Sequence, residues 1–369
     1  MTLNSTPAFS LADNAIPFGE VRRALVIKLR HHGDVLLTSP VFAALQAAAP
    51  GCEIDALVYA DTAPLLEEHP HVAQLHRIDR QWKRLGLVGQ ASAEWTLLQT
   101  LRERHYDLVI HLTEHRRGAW LTRLLKPRWS VAPGKSGRGT FWRKSFTVVT
   151  PVPRNALRHT VERNLDALRA LGLHPAPTLR KLVLNPGRTA TEKIDALLAE
   201  QGLTPCGFIH LHPGSRWLFK CWPVDKVVGL IELLNAQGHA LVLTAAPEAR
   251  ELAMIAAIKA RTAAPLMDLS GQLTLRELGA LTARARLFVG VDSAPMHIAA
   301  AVGTPVVVLF GPSGDKEWGP WQVAQQVITS EHSCRPCGYD GCGGSKVSDC
   351  LTSIPVARVF RACEELLNA

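Results

Sequence analysis

Short apolar segments alternate with helical segments through the first half of this chain. Residues 24–29, 54–59 and 108–112 are almost continuously apolar, as strands buried on both faces of a sheet are. Residues 35–48 and 158–171 are predicted as helices, and the second of these ends at Gly172. Buried strands separated by helices predict a parallel sheet covered by helices on both faces.

The second half of the chain repeats this arrangement with strands and helices of its own. Its predicted strands are 207–211, 240–244, 287–289 and 305–310, and its predicted helices are 224–237, 248–261, 274–283 and 294–301. The pattern therefore predicts an α/β protein with two Rossmann-like, doubly wound domains that face each other across a cleft. Ligands of such folds bind beyond the carboxyl ends of the strands, so we expect the chemistry in the strand-to-helix loops.

The expected domain limits follow from the same pattern. Residues 1–21 are expected to form a flexible leader, residues 22–184 the N-terminal domain and residues 185–369 the C-terminal domain. The last helix, at about 356–367, is expected to pack back on the N-terminal domain.

Composition narrows the class of protein further. Of the 369 residues 47% are hydrophobic and 20% charged, which excludes a disordered chain or a coiled coil. No apolar run reaches the roughly 18–20 residues of a membrane span, and the first residues lack a secretory signal pattern. We therefore expect a cytoplasmic protein.

The charge balance favours an anionic partner. The net charge is +9, and residues 102–144 contain eleven Lys and Arg against three acidic residues. This segment is either a solvated face or a docking surface for an anionic acceptor, for which Arg116 and Arg117 are candidates. A nucleic-acid partner is not expected, because no helix-turn-helix, zinc-finger or RNP pattern is present. The G-x-G-x-x-G and P-loop fingerprints are also absent, since Gly134-Lys135-Ser136 lacks the upstream glycine.

The first strand-to-helix loop runs from Lys28 to Asp34. Gly33 permits close backbone approach, and Asp34 falls in the first turn of the following helix. An acid there either complements the helix dipole or acts as a general base at the strand end. His31 and His32 are open to three interpretations, as a base, as ligand contacts or as ordinary loop residues.

The second loop, residues 210–223, combines small residues with cations. Gly214 and Ser215 offer N–H groups and a hydroxyl, while Arg216 and Lys220 offer positive charge. Together they predict a diphosphate-binding loop, with a solvated polar loop as the alternative.

The third loop, residues 289–297, leads from a strand into a helix. Asp292 or Ser293 can cap the helix, its first N–H groups can meet an anion, and His297 follows one turn later. The alternative is an ordinary cap with a partly buried histidine. Glu248, at the start of another helix, is either a first-turn acid or a carboxylate for the hydroxyls of a ribose.

These three loops, in this order, resemble glycosyltransferase family 9, the lipopolysaccharide heptosyltransferases. The motifs are Lys28-x-x-x-x-Gly33-Asp34, then His212-Pro213-Gly214-Ser215 with Lys220-x-Trp222-Pro223, then Asp292-Ser293-Ala294-Pro295-Met296-His297. Their order and spacing match over residues 22–367. The first motif and the cysteine-rich tail most resemble the heptosyltransferase III branch.

The resemblance implies a GT-B fold whose N-terminal domain is on the acceptor side and whose C-terminal domain binds the nucleotide sugar. It implies inverting transfer of heptose from ADP-L-glycero-D-manno-heptose to a heptose of the lipopolysaccharide inner core. No cofactor or metal is required for that transfer. The enzyme is then cytoplasmic and peripheral at the inner membrane.

Site residues are carried over where the motifs match. Asp34 corresponds to the base, and Lys220 is the second catalytic candidate. Donor binding is assigned to Gly33, Gly214, Ser215, Arg216, Lys220, Glu248, Asp292, Ser293, Ala294 and His297. The acceptor candidates are Arg30, His31, His32, Arg116 and Arg117. Arg30-His31-His32 stands where many family members have small polar residues, so acceptor contacts are expected to differ there.

Four cysteines have a spacing that suits a metal. Cys334, Cys337, Cys342 and Cys350 form C-x2-C-x4-C-x7-C, which is compatible with a structural zinc ion and equally with reduced thiols in a loop.

Two further functions remain open from the residues alone. One is another nucleotide-sugar glycosyltransferase of GT-B fold. The other is a non-catalytic protein that binds anionic lipid or nucleic acid.

Overall fold

Two parallel β-sheets of six strands each organise the chain. The computed structural model describes residues 14–134, 139–151 and 157–369. They divide into two compact units. The first contains 14–63, 70–134, 139–151 and 161–180, and the second contains 64–69, 157–160 and 181–369.

The first sheet has the strand order of a doubly wound fold. Its strands are β1 (Arg23–Lys28), β2 (Glu53–Tyr59), β3 (Gln74–Ile78), β4 (Leu108–His111), β5 (Trp129–Pro133) and β6 (Val148–Thr150). The order is β3-β2-β1-β4-β5-β6, with every described pair parallel. The chain therefore winds outward in one direction from β1 and in the other from β4, which makes the β1/β4 boundary a topological switch point.

The helices of this unit are α1 (His32–Leu36), α2 (Ser39–Ala48), α3 (Gly86–Glu103), α4 (Arg116–Leu125), α5 (Thr140–Arg143) and α6 (Thr160–Arg169). The single helix predicted over 35–48 is wrong, because α1 and α2 are separate. Pro40 lies in the first turn of α2, where its missing N–H costs nothing, and the Thr38 hydroxyl donates to the Val35 carbonyl at 2.6 Å between the two helices.

The second sheet repeats the topology. Its strands are β7 (Phe208–His212), β8 (Ala240–Leu243), β9 (Met267–Asp268), β10 (Leu287–Val291), β11 (Val306–Phe310) and β12 (Gln325–Thr329). They run β12-β11-β10-β7-β8-β9, all parallel, so the switch point lies between β7 and β10. Its helices are α7 (Arg188–Glu200), α8 (Val224–Ala236), α9 (Ala249–Lys259), α10 (Leu275–Thr282), α11 (Ala294–Val302), α12 (Asp315–Trp318), α13 (Asp349–Thr352) and α14 (Val356–Leu367).

The last helix belongs to the core of the second unit. Val359, Cys363 and Leu367, on one face of α14, are buried among side chains of β10, β11 and α8. That this helix also packs back on the N-terminal domain stays a prediction. Its apolar face is satisfied by the second sheet, which lies next to α14 through β10–β12.

Burial explains why the strands were visible in the sequence. Ala24, Leu25 and Val26 of β1 are at most 1% exposed, and β10 and β11 are buried along their whole length. Strands covered on both faces have no polar alternation, so they appear as continuous apolar segments. The predicted α/β class and the two doubly wound sheets are confirmed.

Candidate functional site

Each predicted loop leaves its sheet at or next to a switch point. Lys28 ends β1, and residues 112–115 follow β4, so both flank the first switch point. Residues 213–223 follow β7, and Asp292 follows β10, so both flank the second. Open parallel sheets bind ligands at such points. The topology therefore gathers the sequence-predicted residues into two sites, one in each unit.

Lys28 is the central cation of the first site. It is buried, and its ammonium donates to the Leu112 carbonyl at 3.1 Å and to Asn164 Oδ1 at 3.0 Å. Burial lowers the pKa of Lys28 to about 8, while attraction to the Asp34 carboxylate opposes that shift. Asn164 in turn donates to the Leu37 carbonyl at 2.9 Å, just after α1. Lys28 and Asn164 thus link β1, β4, α6 and the segment that carries Asp34.

Asp34 lies in the first turn of α1 and is half-buried. The nearest described cation is the exposed Arg30, whose Nε lies 3.7 Å from Asp34 Oδ1. That separation is longer than a hydrogen bond, so the contact is only a weak ion pair. The carboxylate is therefore held near two positive charges, one buried at Lys28 and one exposed at Arg30.

A second set of contacts holds the loop from the other side. His32 Nε2 lies 3.1 Å from the Asp61 carbonyl, and Arg80 binds the Asp61 carboxylate at 3.0 Å. The Arg80 guanidinium also donates to the Arg30 carbonyl at 2.8 Å and stacks on the Tyr59 ring. His32 thus has a structural contact, and the sequence did not point to Arg80 or Asp61.

The other acceptor candidates have different surroundings. His31 is exposed and forms the N-cap of α1, and Arg116 is exposed in the first turn of α4. Arg117 is bound to Glu94 of α3 in an ion pair. The same end of β4 also carries Thr113, a buried residue whose hydroxyl has no hydrogen-bond partner in the described part of the chain.

Lys220 and Asp292 meet in the second site. The Lys220 ammonium donates to Asp292 Oδ2 at 2.6 Å, and both side chains are largely buried. They come from the loops after β7 and β10, which are neighbouring strands, so the switch point itself brings them together. Lys220 ends a short 3-10 helix, Leu218–Lys220, that Ser348 holds by donating its hydroxyl to the Phe219 carbonyl at 2.6 Å.

The Gly214–Arg216 segment lines the same edge of the sheet. Gly214 and Ser215 are buried, whereas Arg216 is exposed and lies over the Trp217 ring at 5.4 Å. A Cβ at Gly214 would lie 2.5 Å from Glu251 Oε2, so a larger residue there would displace the Glu251 carboxylate. The loop therefore approaches a buried carboxylate closely at this glycine.

The third loop leads from β10 into α11 as predicted, but the hydroxyl of Ser293 does not cap the helix. Ser293 is the extended N-cap residue of α11, with Ala294 as the first helical residue, and its hydroxyl donates to the Val291 carbonyl at 3.2 Å. Pro295 has no N–H and the Met296 N–H donates to the Ser293 carbonyl at 3.2 Å, so the first turn offers an anion the Ala294 N–H. His297 is buried one turn into the helix.

Two glutamates compete for the role predicted for Glu248. Glu248 is the exposed N-cap of α9. Glu251, one turn later, is 3% exposed, accepts from the Ala246 N–H at 3.2 Å and lies against Gly214. Burial raises the pKa of the Glu251 carboxyl, and the Ala246 N–H partly offsets that rise. The acid that contacts the predicted diphosphate loop is thus Glu251, which the sequence analysis missed.

A chain of hydrogen bonds lies behind Glu251. Thr282 donates its hydroxyl proton to a carbonyl of its own helix at 2.6 Å, so its oxygen accepts from His210 Nδ1 at 3.1 Å. His210 Nε2 then accepts from the Thr244 hydroxyl at 2.7 Å, and Thr244 accepts from His212 Nδ1 at 2.8 Å. This order leaves His212 Nε2 without a proton, 3.8 Å from Glu251 Oε2.

Both rings of this chain stay neutral near pH 7. Burial lowers the pKa of His212 to about 4 and lowers the pKa of His210 well below its ordinary value. The network therefore adds no positive charge to the second site. It fixes the orientation of the His212 ring and of the strand end that precedes Gly214.

The cysteine-rich tail forms no metal centre in the described chain. Cys350 is buried, Cys337 is half-buried, and Cys334 and Cys342 are exposed. No group of three or more His, Cys, Asp or Glu side chains among the described residues is arranged to hold a metal ion. The zinc site stays a prediction, which metal analysis of the purified protein tests.

Two Rossmann-like units of parallel strands, each with charged residues at its switch point, define the GT-B class of folds. A solved glycosyltransferase family 9 structure from Veillonella parvula has this fold, with a TM-score of 0.82 and 23% identity over 96% of this chain and 99% of that one. The structure of Escherichia coli ADP-heptose lps heptosyltransferase II follows, with a TM-score of 0.75 and 23% identity over 94% of this chain and 98% of that one.

Sequence similarity places the chain within a family. The family model for glycosyltransferase family 9 (heptosyltransferase) matches residues 94–347. Lipopolysaccharide heptosyltransferase 3 of Escherichia coli K12 is 36% identical over 92% of this chain and 96% of its own length. The chain belongs to glycosyltransferase family 9. It is therefore a glycosyltransferase, and the resemblance drawn from the three loop motifs is confirmed.

Proposed function

We propose that this enzyme transfers heptose from ADP-L-glycero-D-manno-heptose to a heptose of the lipopolysaccharide inner core, with inversion at the sugar. The observation that carries the proposal is the division of chemistry between the two switch points. The first holds a carboxylate, Asp34, and the second holds the cations Lys220 and Arg216 beside the N-terminus of α11. A glycosyl transfer needs a base for the acceptor and positive charge for the leaving group.

The donor is assigned from the second site. Lys220 and Arg216 supply positive charge for a diphosphate, and the N–H groups of Gly214, Ser215 and the first turn of α11 supply hydrogen bonds. The buried carboxylate of Glu251 is suited to ribose hydroxyls, as acids are in dinucleotide folds, with Glu248 as the alternative. The similar solved structure is that of an ADP-heptose lps heptosyltransferase, which supports ADP-heptose as the donor class.

The acceptor is assigned from the relatives and from the charge of the first unit. The 36%-identical relative is named for lipopolysaccharide, a phosphorylated glycolipid, and the exposed cations Arg30 and Arg116 suit such an anion. Arg117 is engaged with Glu94, so its role is to hold α4 against α3. His31 is exposed beside Arg30 and is the remaining candidate for a sugar hydroxyl.

The proposed reaction is a single displacement. Asp34 accepts the proton of the acceptor hydroxyl as its oxygen forms a bond to the anomeric carbon of heptose. The bond from that carbon to the ADP oxygen breaks, and ADP leaves with the electron pair. Attack opposite the leaving group inverts the anomeric configuration. The ammonium of Lys28 interacts electrostatically with the Asp34 carboxylate and is proposed to help hold it in place.

Lys220 is proposed to change partners during the cycle. Its ammonium donates to Asp292 Oδ2 at 2.6 Å. A diphosphate beside it offers a competing anion, and charge that develops on the leaving phosphate strengthens that interaction in the transition state. Lys220 and Arg216 thereby supply the positive charge that a metal ion provides in other transferases, so we propose metal-independent transfer.

The proposed acceptor is a membrane lipid, so the enzyme is proposed to act at the cytoplasmic face of the inner membrane. None of the described helices combines the length and apolar character of a membrane span. Contact with the bilayer would then be peripheral.

Thermal unfolding with ADP, UDP, GDP or NAD tests the donor assignment. A ligand at about 100 times its Kd adds roughly 2.7 kcal/mol to the stability of the folded state. We expect selective stabilisation by ADP. Selective stabilisation by UDP or GDP would instead indicate another nucleotide-sugar transferase of the same fold, and no response to any nucleotide would refute the donor site.

Asp34→Ala tests the base assignment. We expect loss of heptose transfer with ADP stabilisation unchanged, because Asp34 contributes to the first site only. Asp349→Ala is the matched control, since Asp349 is also a first-turn acid but is exposed on α13 outside both proposed sites, so transfer should persist. A folded Asp34→Ala enzyme that no longer responds to ADP would contradict the assignment of Asp34 as base.

A further inference from the structure

Three helices cover one face of the first sheet. Connections that run β3-α3-β4, β4-α4-β5 and β5-α5-β6 all advance in the same direction across the sheet, so right-handed crossovers place these helices on one side. The buried residues agree, because Leu97 and Leu101 of α3 share a core cluster with Leu121 of α4. The outward sides of α3 and α4 therefore form one continuous face of the unit, here called the α3–α4 face.

The α3 part of this face is apolar at its N-terminal end. Leu87 is 89% exposed and Val88 is 85% exposed. Trp95, seven residues after Val88 and so on the same side of the helix, is also exposed. The apolar side chains that face inward, such as Leu98, lie further along the helix. Leu87, Val88 and Trp95, here called the apolar stripe of α3, therefore do not take part in packing α3 against the sheet.

The α4 part continues the apolar stripe beside cations. Trp120 and Leu124 are exposed, four residues apart, and Arg116 and Arg123 flank them on the same side of the helix. Trp120 lies 4.7 Å from the Phe141 ring, which fixes its orientation. The Glu94–Arg117 ion pair holds α3 and α4 together, so the two stripes are neighbours.

The charges around the stripes are mostly positive. Lys83 and Arg84, just before α3, are exposed, and Lys126 is exposed at the end of α4. From residue 80 to residue 128 the chain has ten Lys and Arg against four acidic residues. Exposed Trp and Leu side chains bordered by cations are typical of surfaces that lie in the interface of an anionic bilayer.

We propose that the α3–α4 face docks this enzyme on the surface of an anionic lipid bilayer. Leu87, Val88, Trp95 and Trp120 enter the headgroup region, while Lys83 and Arg84 bind lipid phosphates. The proposal rests on the proposed function only in its choice of membrane, the one that carries the acceptor. A lipid surface fits better than a protein partner, because the apolar side chains lie on separate helical ridges among cations and form no groove.

Vesicle co-sedimentation tests the docking surface. The intact protein is mixed with phosphatidylethanolamine vesicles that contain phosphatidylglycerol, and with phosphatidylcholine vesicles for comparison. We expect binding to the anionic vesicles that weakens with added salt. The double substitution Leu87→Ser with Val88→Ser should lower vesicle affinity about tenfold or more, because two inserted apolar side chains are lost. Lys83→Glu with Arg84→Glu should lower it at least about tenfold and reduce the salt dependence.

Val347→Ser is the matched control. Val347 is 51% exposed in the second unit, outside the α3–α4 face, so its replacement should leave vesicle binding unchanged. The thermal response to ADP should also persist in the Leu87→Ser, Val88→Ser variant. A wild-type protein that binds anionic vesicles but shows no thermal response to ADP would refute the donor assignment. The docking proposal would still stand.

Two outcomes would overturn the docking proposal. One is a wild-type protein that binds no anionic vesicles, or a double variant that binds them as the wild type does. The other is self-association of the wild type that the double variant abolishes in sedimentation velocity, since the face would then join copies of this chain.

Discussion

Replacing Lys28 by methionine measures two effects of this buried charge separately, its contribution to the rate of transfer and its effect on the stability of the fold. Lys28 is buried, and its two described acceptors are the Leu112 carbonyl at 3.1 Å and Asn164 Oδ1 at 3.0 Å. Methionine has a similar length and no charge. The variant therefore keeps most of the packing and removes the ammonium beside Asp34.

The cost of the charge follows from the pKa of Lys28, which burial lowers from 10.5 to about 8. A shift of that size corresponds to about 3 kcal/mol of destabilisation when the lysine is charged. Two acceptors that lose their donor cost about 1–3 kcal/mol each. The two effects have opposite signs, so we expect Lys28→Met to destabilise the fold by no more than about 3 kcal/mol.

The lowered pKa of Lys28 also determines how its contribution to the free energy of unfolding changes with pH. Below about pH 8 Lys28 is charged in both states, and the folded protein bears the whole penalty. Between about pH 8 and 10.5 the folded protein releases the proton first, so the unfolded state binds more protons and the contribution of Lys28 to stability rises with pH. The wild type should gain about 3 kcal/mol relative to Lys28→Met across this window. Urea unfolding at several pH values measures the difference, and parallel curves for the two proteins would refute the burial argument.

The rate of heptose transfer by the Lys28→Met enzyme tests the proposed catalytic role of Lys28. If Lys28 positions the Asp34 carboxylate, Lys28→Met should lower kcat about 100-fold and leave ADP affinity within about twofold. Lys226→Met is the matched control, because Lys226 in the second unit also donates to two oxygen atoms, the backbone carbonyls of Thr352 and Ile354. It should lose stability and keep kcat. A Lys28→Met enzyme with wild-type kcat would refute the proposed role of Lys28.

Three further substitutions probe the remaining geometry. Lys220→Ala should weaken ADP binding and lower kcat, each about tenfold or more, because a largely buried cation is lost; unchanged titration and rate would remove it from the donor site. Glu251→Gln should weaken ADP binding about tenfold while Glu248→Gln leaves it unchanged, as only Glu251 is buried; calorimetry giving the reverse order would restore Glu248. Gly118→Ala should lower the free energy of unfolding by about 2 kcal/mol or more, because its Cβ would lie 2.2 Å from the His111 ring, and a denaturant midpoint equal to wild type would contradict this.

The parts of the fold that were predictable are those governed by local pattern. β1, β2, β7 and β11 are buried on both faces, so their apolar character is visible without any knowledge of their neighbours. The two-residue strand β9 and the half-exposed β12 have no such signal, and the analysis did not predict them. Their pairing is set by the sheets to which they are added.

The residues of the candidate site also fall into two groups, those that the sequence indicates locally and those that depend on the tertiary fold. Loops rich in Gly, Ser and cations after buried strands pointed to Gly214, Lys220 and Asp292, and parallel topology alone then requires such loops to meet at one sheet edge. Asn164 lies 136 residues from Lys28, and its amide has no local feature that distinguishes it from a surface residue. Contacts of that kind depend on the tertiary fold.

The choice between Glu248 and Glu251 shows where local reasoning stops. Both acids lie at the start of α9, three residues apart, and either satisfies the rule that an acid follows the strand. One helical turn separates them, and the position of the helix on the sheet decides which one is covered. The backbone of Gly214 covers Glu251, and a Cβ at Gly214 would lie 2.5 Å from Glu251 Oε2. The glycine in one loop and the acid in another are therefore structurally coupled, which becomes apparent only when β7 and β8 are placed side by side.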